Sequence, residues 1–122
     1  MRVLVVDDNI TNLKVAQGLL APYKLVVDVC TNGETALEIL GGESYDLIFM
    51  DHLMPGMDGL EVAKRIRMMP ELDQTPIIAL TANSARENVA DFFENGMNDF
   101  LAKPIDSTKL ENILIKWLKH KL

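Results

Sequence analysis

LIFMDHLMPGMDGLE, residues 47–61, changes character within a few positions. The apolar run Leu47–Met50 meets Asp51, then the turn formers Pro55 and Gly56, then Asp58-Gly-Leu-Glu61. A short continuous apolar run suits a strand buried on both faces of a parallel sheet. Asp58 followed three residues later by Glu61 has the logic of a helix start. The stretch therefore reads strand, turn, helix. A charged side chain is rarely set at the end of a buried run without a reason, so Asp51 needs one.

The same alternation runs through the chain. Apolar runs stand at Val3–Val6, Leu25–Val29, Leu47–Met50, Ile77–Leu80 and, more weakly, Phe100–Ala102. Helical stretches lie between them, over 10–21, 32–40, 58–68, 84–95 and 107–119. The first carries Leu13, Ala16, Gln17 and Leu20 and stops before Pro22. The second opens on Thr31-Asn-Gly-Glu34, a capping-box spacing. The fourth ends at Asn95-Gly96, a helix stop. The fifth carries one apolar stripe of Leu110, Ile113, Leu114, Trp117 and Leu118. Strict strand–helix alternation predicts an α/β fold. Right-handed crossovers put helices on both faces of an open parallel sheet.

Composition narrows the function. The chain has 122 residues, 48% of them hydrophobic, which is enough for one domain with a core. No apolar run approaches a membrane span, and no signal-peptide pattern opens the chain. A net charge of −6 argues against direct nucleic-acid binding. The basic cluster at 116–121 reads as a solvated helix end. Cys30 is the one cysteine. It reads as a buried small residue in a reducing, cytoplasmic setting. Whether the chain stands alone or is cut from a larger protein is left open.

In an open parallel sheet, ligands bind at the carboxyl ends of the strands, where the strand order switches. Asp7 and Asp8 follow the first run, Asp51 the third, Thr81 the fourth and Lys103 the fifth. With the order 2-1-3-4-5, the three acids converge. Crowded carboxylates favour a cation between them, and an all-oxygen set selects a hard ion, Mg²⁺ fitting best. A carboxylate beside Mg²⁺ is a competent nucleophile towards phosphorus, with Thr81 and Lys103 placed to meet phosphoryl oxygens. Taken singly, these residues have plainer explanations. Asp8 or Asn9 would cap the first helix, Thr81 would be a hydroxyl near a helix, and Lys103 a solvated lysine. Their joint placement at one sheet edge favours the site.

VLVVDDN, DLIFMDHLMPGMDG, ALTA and LAKP together resemble the receiver domain of two-component response regulators. VDDNITNLKVAQGLL looks most like the receivers attached to hybrid sensor histidine kinases. The resemblance covers 1–122 as a single receiver domain. It implies a doubly wound, flavodoxin-like sheet in the order 2-1-3-4-5 with five helices. It implies Asp51 as phosphoacceptor and a histidine kinase or histidine phosphotransfer protein as donor. Mg²⁺, or Mn²⁺ in its place, would be held by Asp8, Asp51 and the Leu53 backbone carbonyl, with Asp7 acting indirectly. Thr81 matches the switch hydroxyl, Phe100 the aromatic switch position and Lys103 the phosphoryl-contacting lysine. Pro104 matches a proline that follows a cis peptide.

Leu53 and Asn83 match positions flanking the phosphoryl group. Leu53 offers no group to orient water, which points to a long-lived phosphoryl group. Output would run through the surface of the fourth helix, fifth strand and fifth helix, with Phe93, Ile115 and Leu122 as exposed apolar candidates. A homodimer linked to phosphorylation is left open, as is a cytoplasmic place within a membrane-anchored kinase. Such a domain is no enzyme beyond its own phosphorylation and dephosphorylation. Two other readings stand beside it. One is a Mg²⁺-dependent small-molecule phosphatase or phosphotransferase like the haloacid dehalogenases. These typically carry a second Asp where Leu53 stands. The other is a receiver-like module that binds partners without phosphorylation.

Overall fold

The computed structural model describes residues 1–52, 54–82 and 89–118. Strands and helices alternate: β1 (Arg2–Val6), α1 (Ile10–Leu20), β2 (Val26–Cys30), α2 (Gly33–Leu40), β3 (Leu47–Asp51), α3 (Gly59–Arg67), β4 (Ile77–Thr81), α4 (Val89–Glu94), β5 (Asp99–Ala102) and α5 (Ser107–Leu118). All neighbouring strands pair in parallel, in the order 2-1-3-4-5. Among the described residues, no helix is long and apolar enough to cross a membrane.

The period of two along each strand sorts the core into two layers. Leu4, Val6, Ile48, Met50, Ile77 and Ala79 meet α2, α3 and α4 through Ala36, Leu40, Val62, Ile66 and Phe92. Val3, Val5, Leu47, Phe49, Ile78 and Leu80 face the other way, onto Leu13, Ala16 and Leu20 of α1 and Leu110, Ile113, Leu114 and Leu118 of α5. Each fully buried aliphatic side chain contributes about 1.5–3 kcal/mol. That exceeds what helix propensity or a single cap supplies, so burial of β1, β3 and β4 dictates the architecture.

The run at Leu25–Val29 departs from the expectation of burial on both faces. β2 is an edge strand, and Val26 is exposed. Asp28 within it accepts hydrogen bonds from the Tyr45 hydroxyl at 2.6 Å and from Arg2 at 2.7 Å. The Tyr45 bond, then Arg2, holds Asp28 below the usual carboxylate range. A sheet edge has solvent on one side, so it tolerates a charge that a central strand would not.

Helix starts follow side-chain caps. Asn9 accepts from the Asn12 N–H at 3.2 Å, and Asp58 from the Glu61 N–H at 3.0 Å. For α2 the cap is Asn32, which accepts from the Thr35 N–H at 2.8 Å. The cap is therefore displaced by one residue from the Thr31–Glu34 box, because α2 begins at Gly33 and its extended flanking residue is Asn32. Gln17 is exposed, whereas Leu13, Ala16 and Leu20 are buried as the helical spacing requires. The start expected for α4 near Ser84 lies outside the described residues. Its end is as read, with Gly96 at φ +96°.

Replacing Asn32 with Ala should lower unfolding stability by about 1 kcal/mol. Thr31→Ala should change it by less than about 0.5 kcal/mol. Urea denaturation of the two variants distinguishes the caps, and equal losses would contradict the assignment.

Candidate functional site

Register brings the strand ends level. Val6 pairs with Met50, Asp51 with Leu80 and Thr81 with Ala102. Asp7 lies one residue beyond β1 and is fully buried; Asp51 ends β3 and is 3% exposed. Asp8 is exposed. One carboxylate oxygen from each of Asp7, Asp8 and Asp51 lies within 4.8 Å of the others. These three are oxygen-only donors at the range a small hard cation bridges, with no histidine or cysteine among them.

Lys103, just past β5, reaches into this cluster. Its Nζ donates to Asp51 Oδ1 at 2.9 Å and to Asp7 Oδ2 at 3.2 Å. Asp7 Oδ1 accepts from the Asn9 N–H at 2.9 Å, which fixes that carboxylate. Asp7 thus shapes the loop, and Asn9, rather than Asp8, caps α1. The Lys103–Pro104 peptide is cis, and the Lys103 N–H donates to the Thr81 carbonyl at 2.6 Å. The Thr81 side chain is fully buried, and its hydroxyl has no hydrogen-bond partner among the described residues. A buried hydroxyl without a partner is costly, and this one ends the strand next to Asp51. Phe100 on β5 is half-buried against the α2–α3–α4 layer. Leu53 and Asn83 lie outside the described residues.

The charges oppose one another. Burial raises the Asp51 carboxyl most, the Lys103 bond pulls it down and the Asp7 charge raises it again, leaving it pushed up to about 7. Burial disfavours the Lys103 ammonium, but Asp51 and Asp7 more than offset this and raise it. The site is therefore a buried acid balanced by one cation, with two more carboxylates close enough to call for a second.

Two neighbours of Asp51 escape a sequence reading. A Cβ on Gly59 would lie 2.2 Å from the Asp51 carbonyl oxygen. Only glycine lets α3 begin directly over the strand end, where the Gly59 N–H donates to the His52 carbonyl at 3.0 Å. The Asp58-Gly pair carries that signal, but it reads first as a cap. The His52 ring meets Phe92 of α4 edge-on, with centroids 4.9 Å apart. Nothing local in the sequence links those two positions.

The sequence matches the response regulator receiver domain family over residues 3–115. The chain belongs to that family. This receiver domain is 39% identical over 117 residues to the signal transduction histidine-protein kinase BarA of Escherichia coli. The match covers 96% of the chain but only 13% of BarA's length, so the chain spans a small part of the curated relatives it matches. Among solved structures it superposes on the receiver domain of a Pseudomonas aeruginosa sensor histidine kinase. That structure holds a magnesium ion coordinated in its active-site cleft. The TM-score is 0.89 and the identity 34%, with 97% of each chain covered. It also superposes on the receiver domain of Saccharomyces cerevisiae Ssk1, solved with the histidine phosphotransfer protein Ypd1. There the TM-score is 0.87 and the identity 29%, with 96% of this chain and 88% of that one covered. The receiver fold and a phosphoacceptor role in two-component signalling follow from these matches.

Raising the Asp51 pKa has a sign. An unfolded Asp51 ionises near its ordinary value of 3.8, whereas the native carboxyl keeps its proton to about 7. Stability from this group is therefore lost as pH rises through that window. Without divalent cations, Asp51→Asn should stabilise the domain by on the order of 1–2 kcal/mol at about pH 8 and by little at about pH 4. Thermal melts at the two pH values test this; a gain independent of pH would contradict it.

Proposed function

We propose that Asp51 accepts a phosphoryl group from the phosphohistidine of a histidine kinase or histidine phosphotransfer protein. An Asp51 carboxylate oxygen attacks phosphorus as the phosphorus–nitrogen bond to the donor imidazole breaks. The electron pair stays on that nitrogen, which takes up a proton. The observation that carries the reading is the buried Asp51 carboxylate with Lys103 Nζ at 2.9 Å and two further carboxylates within 4.8 Å. Mg²⁺ bound there, or Mn²⁺ with the same oxygen preference, would neutralise charge on the phosphoryl oxygens. Asp8, Asp51 and the Leu53 carbonyl would hold it, and Asp7 would act on it indirectly.

Lys103 exchanges its Asp51 contact for a phosphoryl oxygen. The partnerless Thr81 hydroxyl supplies a hydrogen bond to another, and Phe100 adjusts behind it. Phe100 has no ring hydroxyl, so this step rests on packing. In this reading residues 1–122 form one receiver domain on the cytoplasmic side, within a longer signalling protein or alone. The domain turns over no separate substrate. Its output is the changed surface of α4, β5 and α5, where Phe93 and Ile115 are exposed; Leu122 lies outside the described residues. Family membership favours this over a small-molecule phosphatase, and the complete set of Asp7, Asp8, Asp51, Thr81 and Lys103 favours it over a phosphorylation-independent module.

Donor docking also has support. Ile10 is 61% exposed and Val15 46%, both on α1. Val15 lines a small pocket with Asn12, Lys103, Pro104 and Ile105. Exposed apolar side chains beside a buried charged site suit a protein partner better than a small molecule.

Incubation with acetyl phosphate and Mg²⁺ should add one phosphoryl group to the wild type and none to Asp51→Asn, read by intact mass. Labelling that survives Asp51→Asn, or fails with every donor, would refute the acceptor assignment. The Ile10→Ala/Val15→Ala double variant should slow transfer from a phosphorylated histidine phosphotransfer protein by about tenfold. Its labelling by acetyl phosphate should stay unchanged. Equal slowing with both donors would mean the apolar pair supports the site rather than the partner.

A further inference from the structure

Among the described residues, helix α4 meets the core through Phe92. Within it Phe92 is 1% exposed, while its neighbours Phe93 and Glu94 point outwards. The Phe92 ring is met edge-on by His52, at 4.9 Å between centroids and 81° between planes. His52 is the residue after Asp51. Its N–H donates to the Leu80 carbonyl at 3.0 Å, and its carbonyl accepts from the Gly59 N–H at 3.0 Å. The His52 backbone is thus shared by the end of β3, by β4 one residue before Thr81, and by the first residue of α3. Its ring adds α4.

The C-terminal end of α4 is held elsewhere. Arg67 Nε donates to the Gly96 carbonyl at 2.9 Å, and Nη2 donates to Asn98 Oδ1 at 2.7 Å. A Cβ on Gly96 would lie 2.5 Å from Arg67 Cγ, so the turn is pressed against this side chain. Asn98 also bonds both backbone groups of Ile77, at the far end of β4 from Thr81. Among the described residues, the Gly96 end of the helix is fastened by Arg67, and Phe92 near its middle is met by the ring next to the acceptor.

We propose that His52 is a positioning residue that passes the phosphoryl state of Asp51 to α4 through its ring contact with Phe92. It would do so in parallel with the Thr81–Phe100 route. The inference rests on the reading of Asp51 as acceptor. The His52 N–H is bonded to the Leu80 carbonyl, one residue before Thr81, so a backbone shift accompanying the approach of the Thr81 hydroxyl to a phosphoryl oxygen would reach His52 directly. An edge-on ring pair depends on its angle and offset. Close-packed side chains transmit a displacement instead of absorbing it. A ring that merely filled space would affect stability; one that couples two sites affects what α4 registers.

The test uses the full chain with Mg²⁺ and beryllofluoride, read by amide NMR in the wild type, His52→Ala and His52→Phe. Phe keeps an aromatic edge against Phe92. Beryllofluoride-induced shifts at Thr81 and Lys103 should be similar in all three. Shifts at Phe93 and Glu94 should fall by at least half in His52→Ala and return in His52→Phe. Should His52→Ala not fold, Phe92→Leu removes the same ring pair while keeping an apolar side chain, and the same loss is expected. The proposal is overturned if α4 shifts survive loss of the ring pair, or if His52→Phe does not restore them. It is also overturned if the wild type shifts at Thr81 and Lys103 but not in α4. A wild type with no shift at Thr81 or Lys103 would instead remove the acceptor reading, and this inference with it.

Discussion

Asp51 holds a charge at the end of a strand from which solvent is almost excluded, and Lys103 is what makes this tolerable. The pair spans the sheet, from the central β3 to the residue after the edge strand β5. Everything that sets its 2.9 Å separation is therefore structural. Parallel pairing of β3 with β4 and of β4 with β5 sets the level of both groups. The cis peptide after Lys103 belongs to the same turn. Burying an ion pair contributes little net stability, since desolvation offsets much of the attraction. The arrangement makes sense as a poised site, with Asp7 and Asp8 adding negative charge that a single lysine does not balance.

Much of this was legible because it is local or periodic. The apolar runs of β1, β3 and β4 are continuous since each is covered on both faces, and that pattern needs no tertiary knowledge. The α5 stripe follows from helical spacing, with Trp117 at its margin, where its indole N–H donates to Asp99. The strand-end residues Asp7, Asp8, Asp51, Thr81 and Lys103 were legible because a parallel sheet places all such ends on one edge.

What escaped was set by distance through space. β2 resembles the other runs in composition, but its place at the edge lets it carry Asp28 against Arg2 and Tyr45. Asn32 rather than Thr31 caps α2 because the helix begins at Gly33, a difference of a single position. Gly59 and the His52–Phe92 contact depend on how closely two elements approach. A residue string does not contain that distance. The cost of a Cβ at 2.2 Å from a carbonyl oxygen appears only once α3 is docked.

The guanidinium of Arg67 is bonded to the carbonyls of Leu72, Thr75 and Gly96 and to the Asn98 amide oxygen. These acceptors are neutral, so none of the four bonds depends on the protonation state of its acceptor. It fixes one end of α4 like a pivot. A helix of that length extends about 9 Å, so a tilt of roughly 10° about the pivot swings the far end by about 1.5 Å. The displacement grows with distance from Arg67 and is greatest at the end nearest the acceptor. A partner that gripped the Gly96 end would sense almost nothing; one that gripped the opposite end would meet two distinguishable surfaces.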